Sequence, residues 1–178
     1  MTRYSYDTEF LEDGKTIALI SIGIVSESGR EYYAVNRDVP VRRIRKQPWL
    51  MENVVPGLPK PAGDWNNHMP RSWLFDYHNR AVKKRDRIAA EVREFLLAEG
   101  PPELWADYGA YDHIALCQLF GRMIDLPEGL PMFTHDLQQA LESAPEGFVV
   151  PQQESGLHNA LEDARHLDRT LRALLVSA

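Results

Sequence analysis

The stretch that decides the fold is RYSYDTEFLEDGKTIALISIGIVS, at residues 3–26. Its first part, Arg3–Thr8, has the length and composition of a short strand, and a polar turn follows at Glu12-Asp13-Gly14. Thr16–Ser26 is rich in β-branched residues and apolar nearly throughout, which is typical of a central strand covered on both faces. Together these segments predict the first strands of a sheet.

The rest of the chain alternates strand-like and helix-like segments. The pattern predicts strands at Arg30–Asn36, Glu103–Tyr108 and Met132–Thr134, and helices at Tyr77–Glu99, Tyr111–Met123, Leu137–Ser143 and His158–Val176. Gly100 and the two prolines after it should end the first helix, and Asp136 should cap the third. This order of elements predicts an α/β fold with a mixed five-stranded sheet and helices on both faces.

Residues 38–76 fit neither the period of a helix nor that of a strand. Prolines recur from Pro40 to Pro70. The tryptophans of this region are Trp49, Trp65 and Trp73. We expect loops and short helical turns here, as an irregular insertion within a single domain that covers residues 1–178.

The composition is that of a globular protein, with 44% apolar and 26% charged residues. No apolar run approaches the roughly 18 residues of a membrane span, and the N-terminus lacks the basic-then-apolar order of a signal peptide. Cys117 is the only cysteine, which excludes an intrachain disulfide and a thiolate metal site. These features predict a cytoplasmic protein without a membrane partner.

The formal net charge is −6, which by itself disfavours a polyanionic partner. If several acids are clustered around divalent cations, however, the bound cations reverse the local field. The net charge therefore does not exclude a nucleic-acid substrate.

Asp7 and Glu9 lie two residues apart in YDTEF, at the end of the first predicted strand. Because side chains alternate along a strand, both carboxylates project from the same face. Neighbouring carboxylates repel each other unless a positive charge lies between them, and a hard divalent cation with oxygen ligands supplies it. The simpler alternative is a solvated strand end.

Two later segments carry residues of the same chemical kind. Asp112, in GAYDHIAL, opens a helix directly after a strand, which places its carboxylate at the end of the sheet. His158 and Asp163 lie five residues apart in HNALED, at the start of the last helix. Each alone has an ordinary alternative, a helix N-cap for Asp112 and a surface histidine for His158.

Taken in order, D-x-E, then Y-D, then H-x-x-x-x-D, these motifs resemble the DEDDh superfamily of 3′–5′ exonucleases. Longer strings are similar to the RNase AS family of polyadenylate-specific 3′-exoribonucleases, which is related to RNase T and oligoribonuclease. These strings are YDTEF, EDG, LISIG, GREYYAV, ELWA and GAYDH. The similarity runs from Tyr4 to about Leu171 and fades between Val39 and Asn79.

The resemblance implies a ribonuclease H-like fold and a site for two cations, Mg²⁺ or Mn²⁺. Its metal ligands would be Asp7, Glu9, Asp112 and Asp163. Asp7 would bridge the cations, and His158 would act as the general base, since its ordinary pKa lies near neutrality.

The same resemblance implies a 3′–5′ exoribonuclease that releases nucleoside 5′-monophosphates from single-stranded RNA, with a preference for adenylate, and a homodimer. The residues expected to contact the substrate are Thr8, Glu9, Phe10, Tyr111 and His158.

Two alternatives stay open at this point. A DNA 3′–5′ exonuclease of the proofreading kind would carry the same metal ligands and base, because only contacts to the 2′-hydroxyl separate RNA from DNA. A non-catalytic nucleic-acid-binding module could keep the same fold. None of the acids nor the histidine is missing, which favours an enzyme.

Overall fold

A mixed sheet of six strands forms the centre of the computed structural model, which describes residues 1–60 and 73–177. The strands are β1 (Thr2–Glu12), β2 (Ile17–Ser26), β3 (Glu31–Asn36), β4 (Val82–Lys83), β5 (Pro102–Ala106) and β6 (His135–Asp136). They lie in the order β4-β3-β2-β1-β5-β6. The pairs β1–β2 and β2–β3 are antiparallel, and the other pairs are parallel. The predicted α/β class with a mixed sheet is confirmed.

The sheet has one strand more than the five that the sequence predicts. The additional strand is β4, which lies inside the segment predicted to begin the helix at Tyr77. A turn joins the carbonyl of Asn79 to the N–H of Val82, and Val82 then pairs with Val35 of β3. The helix therefore begins only at Arg85.

The strand predicted at Met132–Thr134 is also displaced, because the paired residues are His135 and Asp136. Met132 and Phe133 are 57% and 59% exposed, so their apolar character does not mark a buried strand. It is the register with β5 that defines β6, with Trp105 opposite His135.

In the part of the chain that the structure describes, the helices are α1 (Val41–Ile44), α2 (Pro48–Asn53), α3 (Arg85–Leu97), α4 (Ala110–Gln118), α5 (Leu137–Leu141) and α6 (Ala160–Ser177), with 3₁₀ turns at Val55–Gly57 and Met123–Asp125. Asp136 caps α5 as predicted, since its carboxylate accepts the N–H of Gln138. The short helices α1 and α2 lie in the segment predicted to be irregular. Trp65, in the same segment, lies outside the described residues.

Helices cover both faces of the sheet, as predicted. On one face, α3 and α4 pack against strand residues that include Tyr4, Tyr6 and Ile24. The long helix α6 crosses β1 and β2 on the opposite face. Because side chains alternate along β1, Asp7 and Glu9 face α6, on the side of the sheet opposite to Tyr4 and Tyr6. Within residues 1–60 and 73–177, no helix has both the length and the apolar composition needed to cross a membrane.

Candidate active site

Three of the predicted acids meet where α6 crosses β1. Asp7 and Glu9 project from the same face of β1, and Asp163 lies in the first turn of α6. One carboxylate oxygen from each of the three lies within 4.8 Å of the others. The fold therefore brings two strand acids and one helix acid, separated by some 150 residues of chain, into one cluster.

Gly23 of β2 allows α6 to approach the sheet closely enough for this. It pairs with Asp7 across the β1–β2 ladder. A Cβ at position 23 would lie 2.3 Å from the carbonyl oxygen of Ala160, a distance that no real side chain tolerates. We did not predict this role, although a glycine within a β-branched strand often marks a close backbone approach.

Asp112 reaches the site from the other face of the sheet, at the start of α4. It is buried, and its Oδ1 accepts hydrogen bonds from the backbone N–H of Thr8 at 2.8 Å and from the Thr8 hydroxyl at 2.7 Å. Asp112 does not belong to the group whose ligand atoms meet within 4.8 Å. Thr8 itself is buried, and both of its donors are engaged by Asp112. Its predicted contact with a nucleotide stays a prediction.

The acids are held in an environment that disfavours their charged forms. Burial, followed by repulsion from Asp163 and Asp112, raises the pKa of Glu9 to about 8. Burial, followed by repulsion from Asp112 and Glu9, raises the pKa of Asp7 well above its ordinary value. Burial also raises the pKa of Asp112, to about 6, against the hydrogen bonds from Thr8. Carboxylate oxygens held this way fit a hard divalent cation.

His158 lies beside this cluster, just before α6. The predicted helix start at His158 is wrong, because Asn159 caps α6 by accepting the N–H groups of Leu161 and Glu162. His158 instead adopts the left-handed backbone conformation, with φ 61°. With Asp7 and Asp163, it lines a cavity of about 220 Å³. Among the described residues, those that line this cavity include no lysine and no arginine.

Trp49 of α2 contacts the ring of His158 in an edge-to-face arrangement, with ring centroids 4.9 Å apart. Trp49 also lines a second opening, of about 380 Å³, together with Phe10. Phe10 in turn stacks on Tyr111, with centroids 5.8 Å apart and planes 13° from parallel. We did not predict Trp49 as a site residue, since its segment has no periodicity that reveals a fold.

The predicted position of Asp7 and Glu9 at a strand end is wrong, because β1 continues to Glu12 and both acids lie within it. The fold and the acid cluster define the class of this protein as a ribonuclease H-like α/β domain with carboxylates gathered on its first strand. Its sequence matches the model of one family over residues 2–175, and the chain belongs to that family, the 3′–5′ exoribonuclease Rv2179c-like domain.

Two relatives from Mycobacterium tuberculosis are each 43% identical to this chain over 176 residues, which is 97% of this chain and 92% of theirs. One is the 3′–5′ exoribonuclease Rv2179c of strain H37Rv, and the other is the 3′–5′ exoribonuclease MT2234.1 of strain CDC 1551 / Oshkosh. The resemblance to an exoribonuclease family predicted from the motifs is confirmed at this level. Membership of the DEDDh superfamily and of the RNase AS family stays a prediction.

Proposed function

We propose that this protein is a metal-dependent 3′–5′ exoribonuclease that removes nucleoside 5′-monophosphates from the 3′ ends of single-stranded RNA and prefers adenylate. The observation that carries the proposal is the meeting of Asp7, Glu9 and Asp163 within 4.8 Å, beside His158, in a chain of this family. The names of its relatives support the exoribonuclease activity.

Asp7, Glu9 and Asp163 would hold the divalent cations, with Asp112 as a further ligand through the oxygen that Thr8 leaves free. All of these ligands are carboxylate oxygens, which Mg²⁺ and Mn²⁺ prefer. When bound, the cations would act as Lewis acids that favour ionisation of water and stabilise negative charge on the phosphate.

His158 would act as the general base. His158 lines the same cavity as Asp7 and Asp163, and the attacking water would bind in that cavity. His158 accepts a proton from this water, whose oxygen forms a bond to phosphorus. The bond between phosphorus and the 3′ oxygen of the preceding nucleotide breaks, and that oxygen takes up a proton from solvent, to which His158 releases the proton that it accepted. The products are a nucleoside 5′-monophosphate and an RNA shortened by one residue.

The 3′-terminal nucleotide would bind on the side of the site that carries Phe10 and Tyr111. Tyr111 is 55% exposed, and the opening between Phe10 and Trp49 presents aromatic surface to solvent. Stacking of a base on an aromatic ring contributes about 1–3 kcal/mol and tolerates any base. The adenylate preference therefore rests on the similarity to the RNase AS family and not on these rings.

The test is a cleavage assay with 5′-labelled oligo(A), oligo(U) and oligo(dA), with Mg²⁺, Mn²⁺ or EDTA, beside an Asp7→Ala variant. The expected result is a metal-dependent ladder of products shortened from the 3′ end, fastest on oligo(A) and absent with the variant. Equal rates on all three substrates would remove the preference for adenylate and for RNA. The absence of a ladder from folded protein with either metal would refute the enzyme and favour a binding module.

The similarity to the RNase AS family also supports a homodimer, and we propose one that acts in the cytoplasm. Sedimentation equilibrium of the purified protein tests the dimer directly, since a monomer mass at micromolar concentration would contradict it.

A further inference from the structure

Gln153 makes a hydrogen bond that the sequence did not predict and that the proposed reaction does not yet use. It lies half-buried in the loop between α5 and α6. Its amide Nε2 donates to Oδ1 of Asp163 at 2.7 Å, the length of a charge-assisted hydrogen bond. Gln153 also lines the 220 Å³ cavity beside Asp7 and His158.

The contact with Gln153 fixes the Asp163 carboxylate through one of its two oxygens. The ionised form is the one that ligates a cation. A neutral amide favours that form without bringing a positive charge that would compete with the cation, and it leaves the carboxylate free lone pairs.

The hydrogen bond between Gln153 and Asp163 also joins the two ends of the chain segment that contains His158. Between Gln153 and Asp163 the chain turns at Gly156, which has φ 76° and whose carbonyl accepts the N–H of Asn159 at 3.1 Å. A Cβ on Gly156 would lie 2.7 Å from the side chain of Glu162, so the turn packs directly against α6. The orientation of Asp163 and the position of His158 are therefore coupled through one short loop.

We propose that Gln153 is a positioning residue for the cation site, which holds the carboxylate of Asp163 in the orientation of a metal ligand. This inference rests on the metal-dependent reaction proposed above. Groups that orient metal ligands from the outer sphere typically change metal affinity or activity by about 10–100-fold when removed. We assign this role to Gln153 from its contact with Asp163 and its place in the cavity wall.

The decisive experiment is a calorimetric titration of Mn²⁺ into RNA-free protein. Gln153→Met removes the amide donor but keeps the length of the side chain, and Gln153→Ala removes most of the side chain. Gln152→Met is the matched control, because Gln152 is the exposed neighbour of Gln153 in the same loop. Both Gln153 variants should bind Mn²⁺ about tenfold or more weakly, whereas the Gln152 variant should bind it as the wild type does.

A second measurement separates metal positioning from general damage to the loop. The rate of oligo(A) cleavage by Gln153→Met should fall most at limiting Mn²⁺ and recover towards the wild-type rate as Mn²⁺ becomes saturating. Thermal melting without metal identifies a variant that is not folded, in which case the other Gln153 variant decides.

Wild-type Mn²⁺ affinity in the folded Gln153 variants would overturn the inference, as would slower cleavage at every Mn²⁺ concentration with unchanged affinity. If the wild-type protein itself binds no Mn²⁺, the proposed function fails along with the inference. The control with wild-type protein distinguishes that outcome from a failure of the role of Gln153 alone.

Discussion

His158 occupies an unusual backbone conformation for a histidine. A non-glycine residue in the left-handed region costs on the order of 1 kcal/mol and persists only where its surroundings hold it. Here the ring of Trp49 packs against the imidazole, and the cap formed by Asn159 begins the helix directly afterwards. The ring contact with Trp49 and the helix cap that follows at Asn159 therefore both restrict the position of His158.

The first prediction concerns this histidine. His158→Asn should keep the cation site, because the metal ligands are other residues, but should lose most turnover, by about 10²–10⁴-fold if His158 is the general base. Asparagine is the better test than alanine because it tolerates a positive φ. The measurements are the single-turnover rate on oligo(A) and the affinity for Mn²⁺.

The matched control for that prediction is His78→Asn, which removes an exposed imidazole in a turn. It should cleave as the wild type does. If His158→Asn also cleaves at the wild-type rate, His158 has no part in the chemistry.

At the scale of elements, the site depends on the close contact between α6 and the sheet. Asp7 and Glu9 belong to β1 and Asp163 to α6, so the distance between the two elements sets the distance between the ligands. At Gly23 of β2, which pairs with Asp7, the backbone of α6 lies so close that an added Cβ would overlap it. The missing side chain of Gly23 affects the geometry of the site without touching the acids themselves.

Gly23→Ala should therefore reduce both stability and activity. The new Cβ would overlap the backbone at Ala160, and relief of such overpacking typically costs about 1–3 kcal/mol. We expect a lower free energy of unfolding in urea and weaker Mn²⁺ binding as α6 moves outwards. Gly57→Ala is the control, since its Cβ would lie 3.5 Å from the nearest atom, an ordinary contact. Equal effects of the two substitutions would contradict this account.

Another group of contacts joins β3, β4 and α3 through a single carboxylate. Glu91 accepts hydrogen bonds from Lys83 at 2.5 Å, Arg87 at 2.8 Å and the hydroxyl of Tyr32 at 3.0 Å. Burial alone would raise the pKa of Glu91, but these hydrogen bonds outweigh burial and lower the pKa to about 2. Glu91 therefore stabilises the fold in its ionised form.

Glu91→Gln should lower the free energy of unfolding at pH 7, by about 1–2 kcal/mol for a partly exposed charged hydrogen-bond network. Because the folded pKa is below the unfolded value of about 4.3, the contribution is complete above that value. It should disappear as the pH falls towards 2. Urea unfolding of both proteins at pH 7, 4 and 3 measures this, and a difference independent of pH would contradict the assignment.

The elements that could be predicted from the sequence are those long enough for a repeating pattern of apolar and polar residues. The alternation along β1 predicted that Asp7 and Glu9 share a face, and α6 has an apolar stripe over many turns. The strands β4 and β6 have two residues each, so no period exists and only the neighbouring strand defines them. The contacts of Trp49 with His158 and of Gln153 with Asp163 depend on tertiary packing, for which the sequence carries no local signal.

For the whole molecule, the proposed cation site joins residues near the two ends of the chain. Asp7 lies in the first strand and Asp163 in the last helix, and their mutual repulsion opposes the packing of one on the other. A ligand that binds only the folded state adds about 2.7 kcal/mol at a concentration of one hundred times its Kd. A bound cation should therefore stabilise the entire fold and not only the site.

The last prediction follows from the repulsion between Asp7 and Asp163, which a bound cation would relieve. Mg²⁺ or Mn²⁺ at about one hundred times its Kd should raise the melting temperature by about 5–10 °C, since 1 kcal/mol corresponds to roughly 2–4 °C in a protein of this size. Asp7→Asn should melt higher than the wild type without metal, because it removes a carboxyl group whose ionised form the site disfavours, and should lose the increase with metal. Glu154→Gln removes one exposed carboxylate and should change neither temperature. If Asp7→Asn instead lowers the metal-free melting temperature, repulsion at Asp7 is not the cost that the cation relieves, and this account is contradicted.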